Sequence, residues 1–381
     1  MRRNSEHSFR IRQEIERVSP YVPGKPIDEV KRELKIDDVI KLASNEMPFL
    51  LPEKVLEAIY RAAKNANRYP DSHSYYLRKR ISEKFGIDEN SIVFGNGSSE
   101  LIKLIAEAIV VEGDRVVFAT PSFVMYPIVT ASRGGVSVEI ELVEQDLSHD
   151  VDAMLAAVDE STSLVILCNP NNPTGTITGR DQVYRLLEGL PDGVFLLFDE
   201  AYAEFVDDPE FVSGVEVFKE GWPNVGVLRS FSKSYGLAGL RLGYGFLPEK
   251  LADAVNRIRE PFNINIVAQE AALAALDCEE EFERMREEII SERKRLEKEL
   301  TELGYKTFTS QANFIFVDAG VDSKDVFKEL LKRGIIVRDG SIFGARYRTF
   351  LRVTVGTREE NSRFLREFPD VVEALKRSDI R

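Results

Sequence analysis

Short apolar runs recur through the middle of the chain, at 92–94, 116–119, 136–140, 164–168, 194–198, 225–228 and 242–246. Between them lie longer stretches in which apolar residues return at helical spacing, as at 101–111. A run of a few apolar residues bounded by turn formers predicts a strand buried on both faces, and its alternation with helical stretches predicts a mostly parallel sheet covered by helices. Beyond this region the pattern changes. A charged helical stretch at 279–303 leads to apolar runs at 313–317, 335–338 and 350–355 and to helical patterns at 322–333 and 358–376, which predict a smaller mixed domain. At the other end, residues 1–40 are rich in charge and contain Pro20-Tyr21-Val22-Pro23-Gly24-Lys25-Pro26, a stretch that can be neither a regular helix nor a central strand. The expected organisation is an arm and connecting segment at 1–40, a large domain at 41–278, and a small C-terminal domain at 279–381 completed by the N-terminal segment. The fold class read from this order is α/β, with a mostly parallel seven-stranded sheet and a smaller α+β domain.

Length agrees with two domains, since 381 residues exceed what one compact core usually holds. Charge narrows the function. The 64 acidic residues outnumber the 51 basic ones, for a net charge of −13, which disfavours attraction to nucleic acid or anionic lipid and favours a small-molecule enzyme. Two cysteines, Cys168 and Cys278, support no disulfide framework and point to a reduced compartment, the cytoplasm. His7, His73 and His149 stand apart without the spacing of metal ligands, so no metal is expected. The first twenty residues lack the apolar centre of a signal peptide and no run of 18 apolar residues follows, so a soluble protein that stays where it is made is expected.

Four segments carry candidate chemistry. Phe94-Gly95-Asn96-Gly97-Ser98-Ser99-Glu100 joins a strand to a helix. Its glycines allow close backbone approach and the helix start offers free N–H groups to a phosphate, although such a turn is also a structural commonplace. Asn169-Pro170-Asn171-Asn172-Pro173-Thr174-Gly175 follows another buried strand as a stiff loop at a ligand-binding strand end, or as a plain turn. Asp199 terminates an apolar strand, where a carboxylate needs a cationic partner or serves as a cap. In Arg229-Ser230-Phe231-Ser232-Lys233-Ser234-Tyr235-Gly236, a lysine sits among hydroxyls and glycines, with Arg241 eight residues on. That setting makes Lys233 a candidate reactive amine where an isolated lysine would be read as surface charge.

Taken in order, Asn-Gly-Ser-Ser-Glu, Pro-Ser-Phe-x-x-Tyr, Asn-Pro-Asn-Asn-Pro-Thr-Gly, Asp-Glu-Ala-Tyr-x-Glu-Phe and Ser-Phe-Ser-Lys followed by Arg241 resemble the fold type I pyridoxal-phosphate-dependent aminotransferases. The resemblance runs from about residue 19 to 357, nearly the whole chain. Within that group, Ser19-Pro20-Tyr21-Val22-Pro23-Gly24-Lys25-Pro26, Arg68-Tyr69-Pro70-Asp71, Pro261-Phe262-Asn263 and Leu351-Arg352-Val353-Thr354-Val355-Gly356 are similar to the histidinol-phosphate branch.

The resemblance implies roles for individual residues. Lys233 would carry pyridoxal 5'-phosphate and move the substrate proton, Asp199 would pair with the ring nitrogen, and Tyr202 and Asn172 would hold the ring oxygen. Phe123 would stack on the ring. Gly97, Ser98, Ser99, Ser230, Ser232 and Arg241 would hold the phosphate, joined by Tyr69 of the partner subunit in a homodimer with shared sites. Arg352 would bind the substrate anion, with Arg338, Tyr21 and Asn45 beside it. The expected reaction moves an amino group between histidinol phosphate and 2-oxoglutarate or glutamate, in histidine biosynthesis. An aromatic amino-acid aminotransferase and a decarboxylase of O-phospho amino acids are the alternatives on the same fold. The chain departs from the family at Met47 and Phe49, which make the substrate mouth more apolar, and at Ser99, where Asp is usual.

Overall fold

The structure, a computed structural model, describes residues 11–16, 18 and 24–379. Thirteen strands are found among them. β1 is Ile40–Lys41. The next seven, β2 (Ile92–Gly95), β3 (Arg115–Thr120), β4 (Val136–Glu141), β5 (Thr162–Cys168), β6 (Phe195–Asp199), β7 (Val225–Ser230) and β8 (Gly243–Phe246), coincide with the seven apolar runs. They form one sheet in the order β2-β8-β7-β6-β5-β3-β4. All neighbours are parallel except β8, which runs antiparallel to both β2 and β7. The fold is therefore the expected α/β class with a mostly parallel sheet.

Alternate residues of the central strands supply two separate cores. Val165 and Leu167 of β5 join Leu196 and Phe198 of β6 on one face, while Leu164, Ile166 and Cys168 join Phe195 and Leu197 on the other. Period-two alternation with both faces covered accounts for the unbroken apolar runs. The same parity turns Asp199, the last residue of β6, toward the face that holds Cys168.

The remaining strands are β9 (Lys306–Thr307), β10 (Phe314–Asp318), β11 (Ile335–Ile336), β12 (Arg338–Asp339) and β13 (Phe350–Thr354). Four of them form an antiparallel sheet in the order β12-β13-β10-β9, whereas β11 pairs in parallel with β1. The single strand expected at 335–338 is thus two, in different sheets. Residues 40–41 thus pair with a strand almost 300 residues later in the chain.

The helix Glu279–Glu302 links the two regions. Glu279, Glu280 and Glu281 in its first turn suit the positive end of its dipole, and Phe282, Ile289, Leu296 and Leu300 bury one stripe. Arg293, fully buried, donates to the carbonyls of Phe205 at 2.9 Å and Ala312 at 3.2 Å and to Asp207 at 2.7 Å, tying the segment after β6 and the approach to β10 to this helix. Among the described residues no helix is long and apolar enough to cross a membrane.

Candidate active site

The carboxyl ends of β5, β6 and β7 open into a cleft of about 450 Å³, closed from the side by Ser44 and Glu46. Open parallel sheets present ligand sites at this edge because the strand ends and helix starts converge there. Lys233, Asp199, Tyr202, Asn172, Phe123, Ser98, Ser99, Ser230, Ser232 and Arg241 all line it. Residues drawn from positions 98 to 241 are thus brought around one space.

Lys233 follows β7 in a turn whose apolar members, Phe231 and Tyr235, plunge into the core and leave Ser230, Ser232 and the lysine at the cleft. Its Nζ donates to the carbonyl oxygen of Ser44 at 3.1 Å and lies 5.7 Å from the centre of the Tyr202 ring. Burial pushes the amine down from 10.5 to about 7. The positive charges of Arg352, Arg241 and Lys41 act in the same direction, and Glu46 opposes them. A lysine in this state offers a lone pair near neutral pH.

Asp199 is 2% exposed. Its Oδ2 accepts a hydrogen bond from the hydroxyl of Tyr126 at 2.9 Å, and its Oδ1 is buried with no hydrogen-bond partner. Burial raises its carboxyl to about 6, against the Tyr126 hydroxyl and the Ala201 N–H, which favour the ionised form. No ion pair among the described residues neutralises it.

Opposite the carboxylate lies a cup suited to an anion. Ser98 and Ser99 begin the helix Ser98–Ile109, where unpaired N–H groups and the helix dipole converge. Arg241 adopts φ +58°, unusual for a residue with a side chain, and its guanidinium donates to Ser232 Oγ at 3.3 Å. Gly97 beneath it has φ +80°, a conformation that residues with a side chain rarely adopt, and its bare Cα leaves room for the Arg241 Nη2 close by. Gly243 has the same logic, since a Cβ on β8 would lie 2.3 Å from the Ser98 nitrogen.

Across Phe123, Val124 and Asn172 a second cavity of about 530 Å³ continues from the first. Arg352 and Arg338, register partners on β13 and β12, both line it. Arg352 donates to Asn172 Oδ1 at 2.5 Å and to the Ala43 carbonyl at 2.8 Å, and its guanidinium lies over the rings of Phe314 and Phe343. Aromatic and apolar walls from Phe118, Pro121, Pro127, Ile342 and Phe343 complete the chamber.

Two expected residues, Asn45 and Tyr69, do not line the cleft of their own chain. Asn45 is 1% exposed and does not line the cleft. It donates from Nδ2 to the Tyr202 hydroxyl at 3.0 Å, its backbone carbonyl accepts from Asn313, and its Oδ1 accepts from Thr354, so its side chain is engaged by Tyr202 and β13. Tyr69 is 82% exposed and stacks on Phe262 at 4.6 Å, outside the cleft of its own chain. Tyr21 lies outside the described residues. Conversely, Tyr126, Ser44, Glu46 and Cys168 belong to the site but received no role from the sequence. Tyr126 carried a signal as the last member of Pro-Ser-Phe-x-x-Tyr, and Ser44 and Glu46 as members of Leu42-Ala43-Ser44-Asn45-Glu46, a stretch similar to the histidinol-phosphate branch.

Residues 37–368 match the family described as aminotransferase class I and II. The chain is 45% identical over 366 residues to histidinol-phosphate aminotransferase 2 of Carboxydothermus hydrogenoformans, spanning 96% of this chain and 100% of that one. It is 42% identical over 363 residues to histidinol-phosphate aminotransferase of Moorella thermoacetica, spanning 95% and 93%. Among solved structures it is similar to histidinol-phosphate aminotransferase from Sinorhizobium meliloti in complex with pyridoxal-5'-phosphate, with TM-score 0.87 and 26% identity over 97% of this chain and 100% of that one.

Proposed function

The chain belongs to the class I and II aminotransferases, and on that premise we propose that it transfers an amino group between histidinol phosphate and 2-oxoglutarate, using pyridoxal 5'-phosphate held at Lys233. The observation that carries the reading is the buried Oδ1 of Asp199, which lacks a hydrogen-bond partner and shares a cleft with a lysine whose amine is pushed down to about 7 and with an anion cup. Those three features match the ring nitrogen, the aldehyde and the phosphate of that cofactor, so the residues present fit the group. When bound, it supplies an electron sink for the bond being broken at the substrate α-carbon.

Each residue then has a defined task. Asp199 would hold the ring nitrogen in its protonated form. Tyr202 receives the Asn45 amide at its oxygen, which leaves the phenol proton to donate to the ring oxygen. Asn172 has its Oδ1 occupied by Arg352, so its amide N–H groups remain for the same ring oxygen. Phe123, which lines the cleft, would stack on the ring. Ser98, Ser99, Ser230, Ser232 and Arg241 bind the phosphate over the space that Gly97 keeps open, with Tyr69 of the partner subunit as a further donor. Lys233 Nζ carries the proton to and from the substrate α-carbon, work suited to an amine titrating near 7. Arg352 and Arg338 bind the substrate anion: a phosphate in one half of the cycle and a carboxylate in the other. The site works in a cytoplasmic homodimer, and residues 41–278 and 279–381 form the two domains that meet around it.

The apolar walls of the second cavity favour one rival reading, transamination of aromatic amino acids. Two measurements decide. Borohydride reduction of the protein loaded with pyridoxal phosphate should fix the label on Lys233, and a label on another lysine would end the assignment. A screen with 2-oxoglutarate against histidinol phosphate, phenylalanine, tyrosine and aspartate should give the highest kcat/KM with histidinol phosphate. Higher turnover of phenylalanine or tyrosine would favour the rival.

A further inference from the structure

Tyr126 is fully buried on the helix Met125–Ser132 and touches two walls of the cleft at once. Its hydroxyl donates to Asp199 Oδ2 at 2.9 Å. Its ring meets that of Phe123 edge-on, with centres 5.8 Å apart and planes at 86°. The sheet face that carries Asp199 also carries Cys168, its register partner on β5. The groups around the carboxylate are therefore the Tyr126 hydroxyl from the helix, the Cys168 thiol from β5, and the Ala201 N–H and Tyr202 phenol from the segment after β6, with Lys233 across the cleft. None of the neighbours in contact with it is a cation.

A carboxylate turns freely about its last torsion unless a hydrogen bond pins it. Here one oxygen is committed to Tyr126 and the other is left bare. We propose that Tyr126 is a positioning residue: its phenol pins the plane of Asp199, so that Oδ1 alone is presented to the cleft, and it holds the carboxylate in the charged form. A donor to an ionised oxygen favours the carboxylate over the acid. Burial and the nearby negative charge of Asp199 raise the phenol well above its ordinary range, so it stays protonated and keeps donating. This inference rests on the reading that Asp199 meets the ring nitrogen of pyridoxal 5'-phosphate.

The test compares the parent with Tyr126→Phe, Asp199→Asn and the double variant, each resolved to apoprotein and titrated with pyridoxal 5'-phosphate over a range of pH. Loss of one hydrogen bond to a charged group should weaken cofactor binding by about tenfold. It should also move the acid-side midpoint of that affinity upward by about one pH unit, a step that Asp199→Asn abolishes. Catalytically, kcat should fall by about tenfold while the KM of the amino donor stays within about twofold. In the Asp199→Asn background, which contains no buried charge to stabilise, Tyr126→Phe should add less than about a twofold effect. An undiminished effect in that background would show that Tyr126 serves only as packing against Phe123 and would overturn the proposal. So would unchanged affinity and an unchanged midpoint in Tyr126→Phe while the parent binds the cofactor normally. A parent that takes up no pyridoxal phosphate would instead overturn the cofactor reading itself, and this inference with it.

Discussion

Replacing Lys233 by methionine should make the cofactor-free protein more stable at neutral pH, even though the change deletes a hydrogen bond. The amine titrates at about 7 in the folded chain against 10.5 when unfolded, chiefly because burial penalises the ammonium. Between those values the unfolded chain binds the proton more readily. Parent stability therefore rises with pH across the window, and the penalty is complete below about pH 7. Each pH unit within the window corresponds to about 1.4 kcal/mol, which gives a penalty of about 3 kcal/mol at pH 8 and under about 1 kcal/mol at pH 10. Part of the lysine surface faces the cleft, so these are upper values. The lost bond to the Ser44 carbonyl, 3.1 Å long, offsets about 1 kcal/mol of the gain. A net stabilisation of about 2 kcal/mol at pH 8, vanishing by about pH 10, is the expected result. Urea unfolding of both proteins, followed by the fluorescence of the single tryptophan, Trp222, measures it directly. Taking the difference between the two proteins at each pH cancels every other titrating group. A variant less stable than the parent at pH 8, or a difference that does not change between pH 7 and 10, would refute the reasoning.

Three further outcomes are expected. Asp199→Ala should retain bound cofactor yet lose roughly two to three orders of magnitude in kcat, since removing one partner of a buried ion pair costs about 3–5 kcal/mol; near-normal turnover would exclude the role assigned to Asp199. Mixing Tyr69→Phe with Lys233→Ala subunits should restore tight cofactor binding at one site per mixed dimer, and binding as weak as in the Tyr69→Phe homodimer would place Tyr69 within its own chain. Arg229→Ala strips the fully buried Glu200 of a guanidinium 2.8 Å away and should destabilise the protein by about 3–5 kcal/mol, read as a lowered melting temperature; an unchanged melting curve would contradict it.

What could be read from the chain and what could not divide along the distance over which residues act. β5 and β6 were legible because both their faces are buried, so that every residue of each run is apolar and the signal is local. Lys233, Asp199, Ser98 and Ser99 were legible because strand ends and helix starts mark themselves with glycine, hydroxyl and charge within a few residues. The break between β11 and β12 was not, since it depends on β1 pairing with Ile335–Ile336 from almost 300 residues earlier, as shown by the partnership of Ile40 with Ile335. Asn45 could be placed near the site by its neighbours, yet only folding sets its amide against a phenol 157 residues away. Tyr126 stood in a visible motif without a task until the helix that carries it packed over Asp199, 73 residues on. The sequence by itself determined the order of strands and helices and which residue types arrive at the sheet edge. Tertiary structure decided which atoms of those residues are spent on one another and which are left for a ligand, because hydrogen bonds between distant segments leave no periodicity in the chain.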